Sequence, residues 1–197
     1  MIKEHILNSK VENFIRAWTL DDCSICDDII EYFHRSEKTT GGIMTSNGDI
    51  QVNKKYKDSI DCFFNISTNP GKTYIQEHLK SVMDEYIKIF PMVNEYGRWG
   101  IVEPVNIKFY CPGAGYHAYH TERSSAAYPI TNRHLVFMTY LNDVDDQGET
   151  EFLHQKIKIK PEKGLTVIWP ADWTYTHRGI ASQTQNKYIV TGWYSFF

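Results

Sequence analysis

The chain has 197 residues, enough for one domain with a sizeable buried core, and 14% of them are aromatic, with 13 Tyr and 10 Phe, a bias toward strands. A net charge of −3 and a pI near 6.2 argue against general electrostatic attraction to nucleic acid. No stretch reaches the roughly 18–20 apolar residues of a membrane span. Met1-Ile2-Lys3-Glu4-His5 lacks the charged-then-apolar order of a signal peptide, so a cytoplasmic protein is expected, with Cys23, Cys26, Cys62 and Cys111 as free thiols.

In chain order, Val11, Phe14, Ile15, Trp18 and Leu20 make residues 11–20 a short strand or extended lead-in. Asp21 and Asp22 are N-cap candidates for a helix through about His34, with Cys26, Ile29, Ile30 and Phe33 at helical spacing. Residues 36–60 are polar and contain Gly, and read as a long excursion with little regular structure, of the kind that often serves as a lid. Within it, Lys54-Lys55-Tyr56-Lys57 reads as a solvated loop. A second helix is predicted from about Lys72 to Ile89; its stripe is Tyr74, Ile75, Leu79, Val82, Met83, Tyr86, Ile87 and Phe90, and Pro91 ends it.

After Gly100 the texture changes to short strands, predicted at 103–110, 115–120, 133–142, 150–159, 164–169, 174–179 and 187–196. Asp143 to Gly148 is an acidic loop without the residue pattern of a calcium loop, and Pro161-Glu162-Lys163-Gly164 is a turn. Helices followed by strands imply an α+β, mainly β fold with helices laid against a β-sandwich or β-helix barrel. A single domain over 1–197 is expected, with 1–100 as helical support and a lid-like loop, and 101–197 as the catalytic core.

His120-Thr121-Glu122 begins at the end of the predicted strand 115–120; on a strand, residues two apart face the same way, so His120 and Glu122 could grip one ion from one side. His177 is the best third partner. Two imidazoles and a carboxylate are the ligands of a non-haem Fe(II) site that keeps positions open for exogenous ligands, unlike a closed structural zinc site. Lys187 begins the last strand, where residues 187, 189, 191, 193 and 195 share a face. A lysine buried on that face needs an anion, and the carboxylate of a bound organic acid is a reasonable one.

Residues 105–196 resemble the Fe(II)- and 2-oxoglutarate-dependent dioxygenases, in their prolyl 4-hydroxylase-like branch. The resemblance rests on Tyr110-Cys111-Pro112-Gly113-Ala114-Gly115-Tyr116, His120-Thr121-Glu122, Arg133, Thr139 to Asn142, Gly148 to Phe152, Gly164 to Trp169, His177, Lys187 and Trp193. It implies a double-stranded β-helix (jelly-roll) core with N-terminal helices packed on one sheet. It also implies roles by position. His120, Glu122 and His177 would bind Fe(II), and Lys187 would pair with the distal carboxylate of 2-oxoglutarate. Tyr110 and Tyr140 would contact that co-substrate, while Arg133 and Trp193 would face the substrate. Glu122 stands where the family usually has Asp.

The expected reaction uses O2 and 2-oxoglutarate to hydroxylate a C–H bond, with succinate and CO2 as co-products and ascorbate as a candidate reductant of the iron. A prolyl residue of a protein or peptide is the first substrate class, and a free amino acid or other small molecule the alternative; neither nucleic acid nor membrane is an expected partner. A non-catalytic metal- or sugar-binding jelly-roll module and a thiol oxidoreductase built on Cys23 and Cys26 are the competing readings.

Overall fold

The computed structural model describes residues 1–7, 13–44 and 50–197. Its N-terminal part contains strands β1 (Ile2–His5) and β2 (Arg16–Leu20), helix α1 (Ser24–Arg35), and the short strands β3 (Thr39–Thr40), β4 (Ile43–Met44), β5 (Ile50–Gln51) and β6 (Ile60–Phe63). One helical rod follows, made of α2 (Gly71–Thr73), a π-helical stretch (Tyr74–Leu79) and α3 (Lys80–Ile89). The C-terminal part holds β7 (Trp99–Gly100), β8 (Asn106–Tyr110), β9 (Arg133–Tyr140), β10 (Thr150–Phe152), β11 (Ile157–Ile159), β12 (Leu165–Pro170), β13 (His177–Gly179) and β14 (Lys187–Phe196).

The main sheet runs β1-β2-β12-β9-β14-β8-β6-β3, with β7 on the far end of β14, and all its pairings are antiparallel. A smaller sheet, β11-β10-β13, belongs to the C-terminal part. The period-two alternation of the strands divides the core. Leu135 and Phe137 of β9, Ile168 of β12, and Val190 and Tyr194 of β14 point to the helices, where they meet Cys26, Ile29 and Phe33 of α1 and Val82, Met83 and Tyr86 of α3. Val136, Met138 and Tyr140 point the other way, toward Phe152, Ile157 and Ile159 of the small sheet. Two opposed sheets, with helices on the outer face of one, form the expected jelly-roll.

A chain of buried hydroxyls ties the helical rod to the main sheet. The Tyr74 hydroxyl meets Thr139 Oγ1 at 2.7 Å, Thr139 Oγ1 meets Thr166 Oγ1 at 2.7 Å, and Thr166 Oγ1 meets His78 Nε2 at 2.9 Å. His78 is thus a hydrogen-bonded core histidine. Burial pushes its imidazole down to about 4 from an ordinary 6.5. The unfolded chain therefore takes up a proton that the folded one refuses, and stability falls as pH drops from 6.5 toward 4. The loss expected from this ring is up to about 3 kcal/mol. Denaturant unfolding at pH 7 and pH 4.5 should show a smaller drop in H78Q than in the native protein.

Several strand expectations change. Residues 115–120 form no strand: Pro112, Gly113 and Gly115 break the run, and only isolated bridges at Tyr116 and His120 remain. The stretch 150–159 is two strands joined by a tight reversal with Lys156 at φ +56°, and 174–179 opens with a 3-10 turn before β13. Strands β1, β6 and β7 were not expected. The long excursion contributes β3 to the main-sheet edge and a small β4–β5 hairpin; residues 45–49 of it, and residues 8–12 ahead of β2, lie outside the described residues. The N-cap position of α1 is Cys23 and not Asp21 or Asp22; Asp22, one residue earlier, accepts the Ser24 amide through its carboxylate at 2.9 Å. Cys26 lies buried in that helix with its thiol pushed up to about 12 by burial, and burial raises Cys23 as well, so neither is a poised redox nucleophile.

Candidate metal centre and co-substrate pocket

His120 and Glu122 lie in the 111–132 connection between β8 and β9. The connection is clamped to the small sheet and its neighbours by backbone bonds on both sides of the ligands: Gly179 N to Tyr116 O at 2.8 Å and Arg123 N to Ala171 O at 2.9 Å. Between these clamps His120 and His177 exchange both amide bonds at 2.9 Å, as one antiparallel pair continuing the small sheet beyond β13. Directly paired residues project to the same face. The two imidazoles are accordingly 4.3 Å apart between ring centroids.

Each ring is fixed by its own chain: His120 Nδ1 lies 3.1 Å from the Ala118 carbonyl and His177 Nδ1 lies 3.0 Å from the Tyr175 carbonyl. Donation from Nδ1 leaves the Nε2 lone pairs free, as metal ligation requires. Both face Glu122 Oε1, at 3.6 Å from His120 Nε2 and 3.4 Å from His177 Nε2. Among the described residues this is the one group of three or more His, Cys, Asp or Glu with ligand atoms close enough for one ion, all within 4.8 Å of one another. Burial, then the neighbouring His177, lowers the His120 pKa, which keeps the ring in its neutral, ligating form. The donor set fits Fe(II): mixed N and O ligands, no thiolate and no fourth protein ligand.

The other Glu122 oxygen, Oε2, accepts Trp193 Nε1–H at 2.9 Å, and Arg133 Nη1 lies 3.7 Å away. Arg133 also donates to the Glu122 carbonyl at 2.8 Å, stacks on the Trp193 ring at 3.6 Å, and is paired through two bonds with the buried Glu103, at 2.8 and 2.6 Å. This frame holds the carboxylate, one methylene longer than the usual Asp, with a single oxygen toward both imidazoles. Arg133 and Trp193, expected to face the substrate, line the cavity with their polar atoms turned to Glu122 and Glu103. Trp193→Phe removes the hydrogen bond to Glu122 and keeps a smaller aromatic ring, so metal affinity should fall about 10–100-fold. An isothermal titration with Fe(II) or a redox-inert surrogate checks it.

The triad opens into a cavity of about 450 Å³, a size suited to small ligands. Lys187 lines it, 4% exposed, and donates to the Gly148 carbonyl at 2.9 Å. No carboxylate among the described residues forms an ion pair with it. Burial pushes its pKa down to about 8, with Glu149 pulling weakly the other way. Tyr110, its cross-strand partner, also lines the cavity, with the ammonium 4.9 Å from the ring centroid. Tyr140 is a correction: it is absent from the cavity wall, and its hydroxyl donates to Thr150 Oγ1 at 2.6 Å with the Ile159 carbonyl 3.3 Å away. Thr150 is the residue of this pair that faces the cavity.

Sequence reasoning missed Glu103 and Tyr116, whose ring stacks on His120 at 3.5 Å. It also misplaced Lys57. Unlike the remainder of its basic run, Lys57 is 3% exposed and lines the cavity. The only available signal was the alternation Asn106, Lys108, Tyr110, which puts polar groups on the inner face of β8.

Fold and site together give a jelly-roll carrying a candidate metal-ligand triad and a buried lysine on one cavity wall. Residues 105–195 match the family model described as the 2OG-Fe(II) oxygenase superfamily. Among solved structures, the viral collagen prolyl hydroxylase vCPH of Paramecium Bursaria Chlorella virus-1 superposes with TM-score 0.66 at 20% identity over 94% of this chain and 97% of its own. The Pseudomonas putida prolyl-4-hydroxylase gives 0.68 at 15% identity over 93% of each chain. The Trichoplax adhaerens prolyl hydroxylase, solved with a hypoxia inducible factor peptide, gives 0.68 at 18% over 93% of this chain and 84% of its own. No curated protein matches the chain in sequence.

Proposed function

We propose that this oxygenase domain, taken as a single unit over 1–197, hydroxylates a prolyl residue of a protein or peptide. The observation that carries the reading is the pairing of an open His-Glu-His triad with a buried lysine lacking a carboxylate partner on the same cavity wall. The three jelly-roll relatives described above, all prolyl hydroxylases, one of them with a bound peptide, support the choice of substrate.

His120, Glu122 and His177 would hold Fe(II), and Lys187 would pair with the far carboxylate of 2-oxoglutarate beside Tyr110. When bound, this metal and co-substrate supply the oxidising power that inserts one oxygen atom of O2 into a C–H bond, with succinate and CO2 released. The protein's part is positional. Backbone carbonyls hold the imidazoles in their ligating tautomer, Trp193 and Arg133 fix Glu122, and the two sheets screen the site from water. No described helix is long and apolar enough to cross a membrane. The test is Fe(II)-dependent succinate release from 2-oxoglutarate with a prolyl peptide, together with a gain of one oxygen mass in the peptide. Succinate release without peptide oxidation would retain the class and reject the substrate.

A further inference from the structure

The cavity wall contains an ionic cluster that neither metal nor co-substrate uses. On the β6–β8 edge, Lys57 Nζ and Lys108 Nζ both donate to one oxygen of Asp61, Oδ2, at 2.8 and 2.9 Å. Ser59 donates to the other, Oδ1, at 2.7 Å, and Lys57 also donates to the Gly42 carbonyl at 3.0 Å. The side chains of Lys57, Lys108 and Asp61 are 4%, 13% and 14% exposed. A buried ammonium and a half-buried one around one carboxylate leave an excess positive charge, and among the described residues Lys108 has no partner but Asp61.

The excess persists across the whole wall. Four cations line the cavity, Lys57, Lys108, Arg133 and Lys187, against three carboxylates, Asp61, Glu103 and Glu122. Arg133 is matched by Glu103. A divalent metal and a dianionic co-substrate cancel one another, so loading the site leaves the surplus where it was, at Lys57 and Lys108. In a chain of net charge −3 this cationic spot is local. It is also close to the chemistry: the Tyr116 ring that stacks on His120 lies 5.9 Å from Lys57 Nζ. One aromatic ring thus separates the cation from a metal ligand.

We infer that Lys57 and Lys108 form a carboxylate-recognition subsite for the substrate, so that the protein selects a target bearing an anionic group near the oxidised residue. The inference rests on the oxygenase reading and specifies its substrate class. Asp61 and Ser59 hold the two ammoniums in place, and the unused Lys108 N–H groups supply the donors. A purely structural cluster would need a second carboxylate to offset the buried charge, and none is present among the described residues. Two sources of the carboxylate are chemically equivalent here: an acidic side chain beside the target, or the chain-terminal carboxylate of a short peptide or free amino acid.

The test measures binding, without turnover, to the full chain loaded anaerobically with Fe(II) and 2-oxoglutarate. The probes are end-blocked prolyl peptides with one Glu at each position flanking the proline, their Gln counterparts, and a peptide whose only carboxylate is its C-terminus. In the native protein at least one carboxylate peptide should bind about tenfold more tightly than its neutral counterpart. That ratio should fall to near unity in K108Q and recover in K108R; each variant is judged on its own ratio, so a general loss of affinity does not count. Preference for a Glu peptide identifies the side-chain source, and preference for the free C-terminus the other. Equal binding of charged and neutral peptides by the native protein overturns the inference, as does a ratio that survives K108Q. Because the readout is binding, it stands apart from the oxygen-gain assay, whose failure would instead reject the proposed reaction.

Discussion

Substituting alanine for His177 is expected to abolish Fe(II)-dependent succinate release, with a loss well beyond 100-fold. Loss of groups that merely orient metal ligands costs about 10–100-fold in affinity or activity, so loss of a ligand costs more. His177 is one of the three proposed ligands, and its ring is buried between Phe152 and Trp169, at centroid distances of 5.3 and 5.2 Å. The backbone pair with His120 does not depend on the side chain, so the variant should stay folded while losing tight metal binding. Near-native far-UV circular dichroism with background turnover is the expected result. Equal turnover in variant and native protein would defeat the assignment.

The second large effect is expected at Lys187. Lys187→Met should weaken 2-oxoglutarate binding by about 100-fold or more, because the variant leaves a buried carboxylate without its counter-ion. The same variant should be as stable as the native protein, or more so, when the co-substrate is absent, since a buried ammonium bonded to one carbonyl is replaced by an apolar chain of similar length. Opposite signs in the two measurements distinguish a ligand-pairing lysine from a structural one. A non-catalytic sugar- or metal-binding module would show no 2-oxoglutarate affinity to lose.

The pH dependence has the same origin. Burial holds the free Lys187 pKa near 8, and a bound carboxylate raises it. Binding therefore takes full advantage of the charge below pH 8. Affinity for 2-oxoglutarate should be flat there and decline above it, by at most about tenfold per pH unit, until the pKa of the complex is passed. In Lys187→Met this decline should vanish.

The main-sheet strands were legible where burial on both faces makes them apolar throughout, as in β9, or where alternation is clean, as in β14. The inner face of β14 falls on Lys187, Ile189, Thr191, Trp193 and Ser195, as the period requires. The convergence of His120, Glu122 and His177 was also legible, but by a partly mistaken route. His120 and Glu122 were read as strand neighbours on one face; they sit in a clamped loop, and the single bridge to His177 does the aligning. Tyr116 and Tyr119 give 115–120 the composition of a strand, while Gly115 and the clamps at Tyr116 and Arg123 fix another shape. What holds Glu122 was not legible. Trp193, Arg133 and Glu103 are distant along the chain, and only sheet register brings them together. Lys57 looked solvated because its basic neighbours are, and its burial depends on Asp61, delivered by β6 pairing with β8.

In the proposed enzyme three protein side chains hold one Fe(II) and leave room beside it for a 2-oxoglutarate carboxylate anchored on Lys187. Its most direct test is an anaerobic titration with Fe(II) and 2-oxoglutarate, followed by visible absorption. The native protein should develop a weak visible band only when both are present, and His177→Ala should develop none. A flat spectrum from protein shown independently to bind Fe(II), or a band undiminished in His177→Ala, would rule out this joint site.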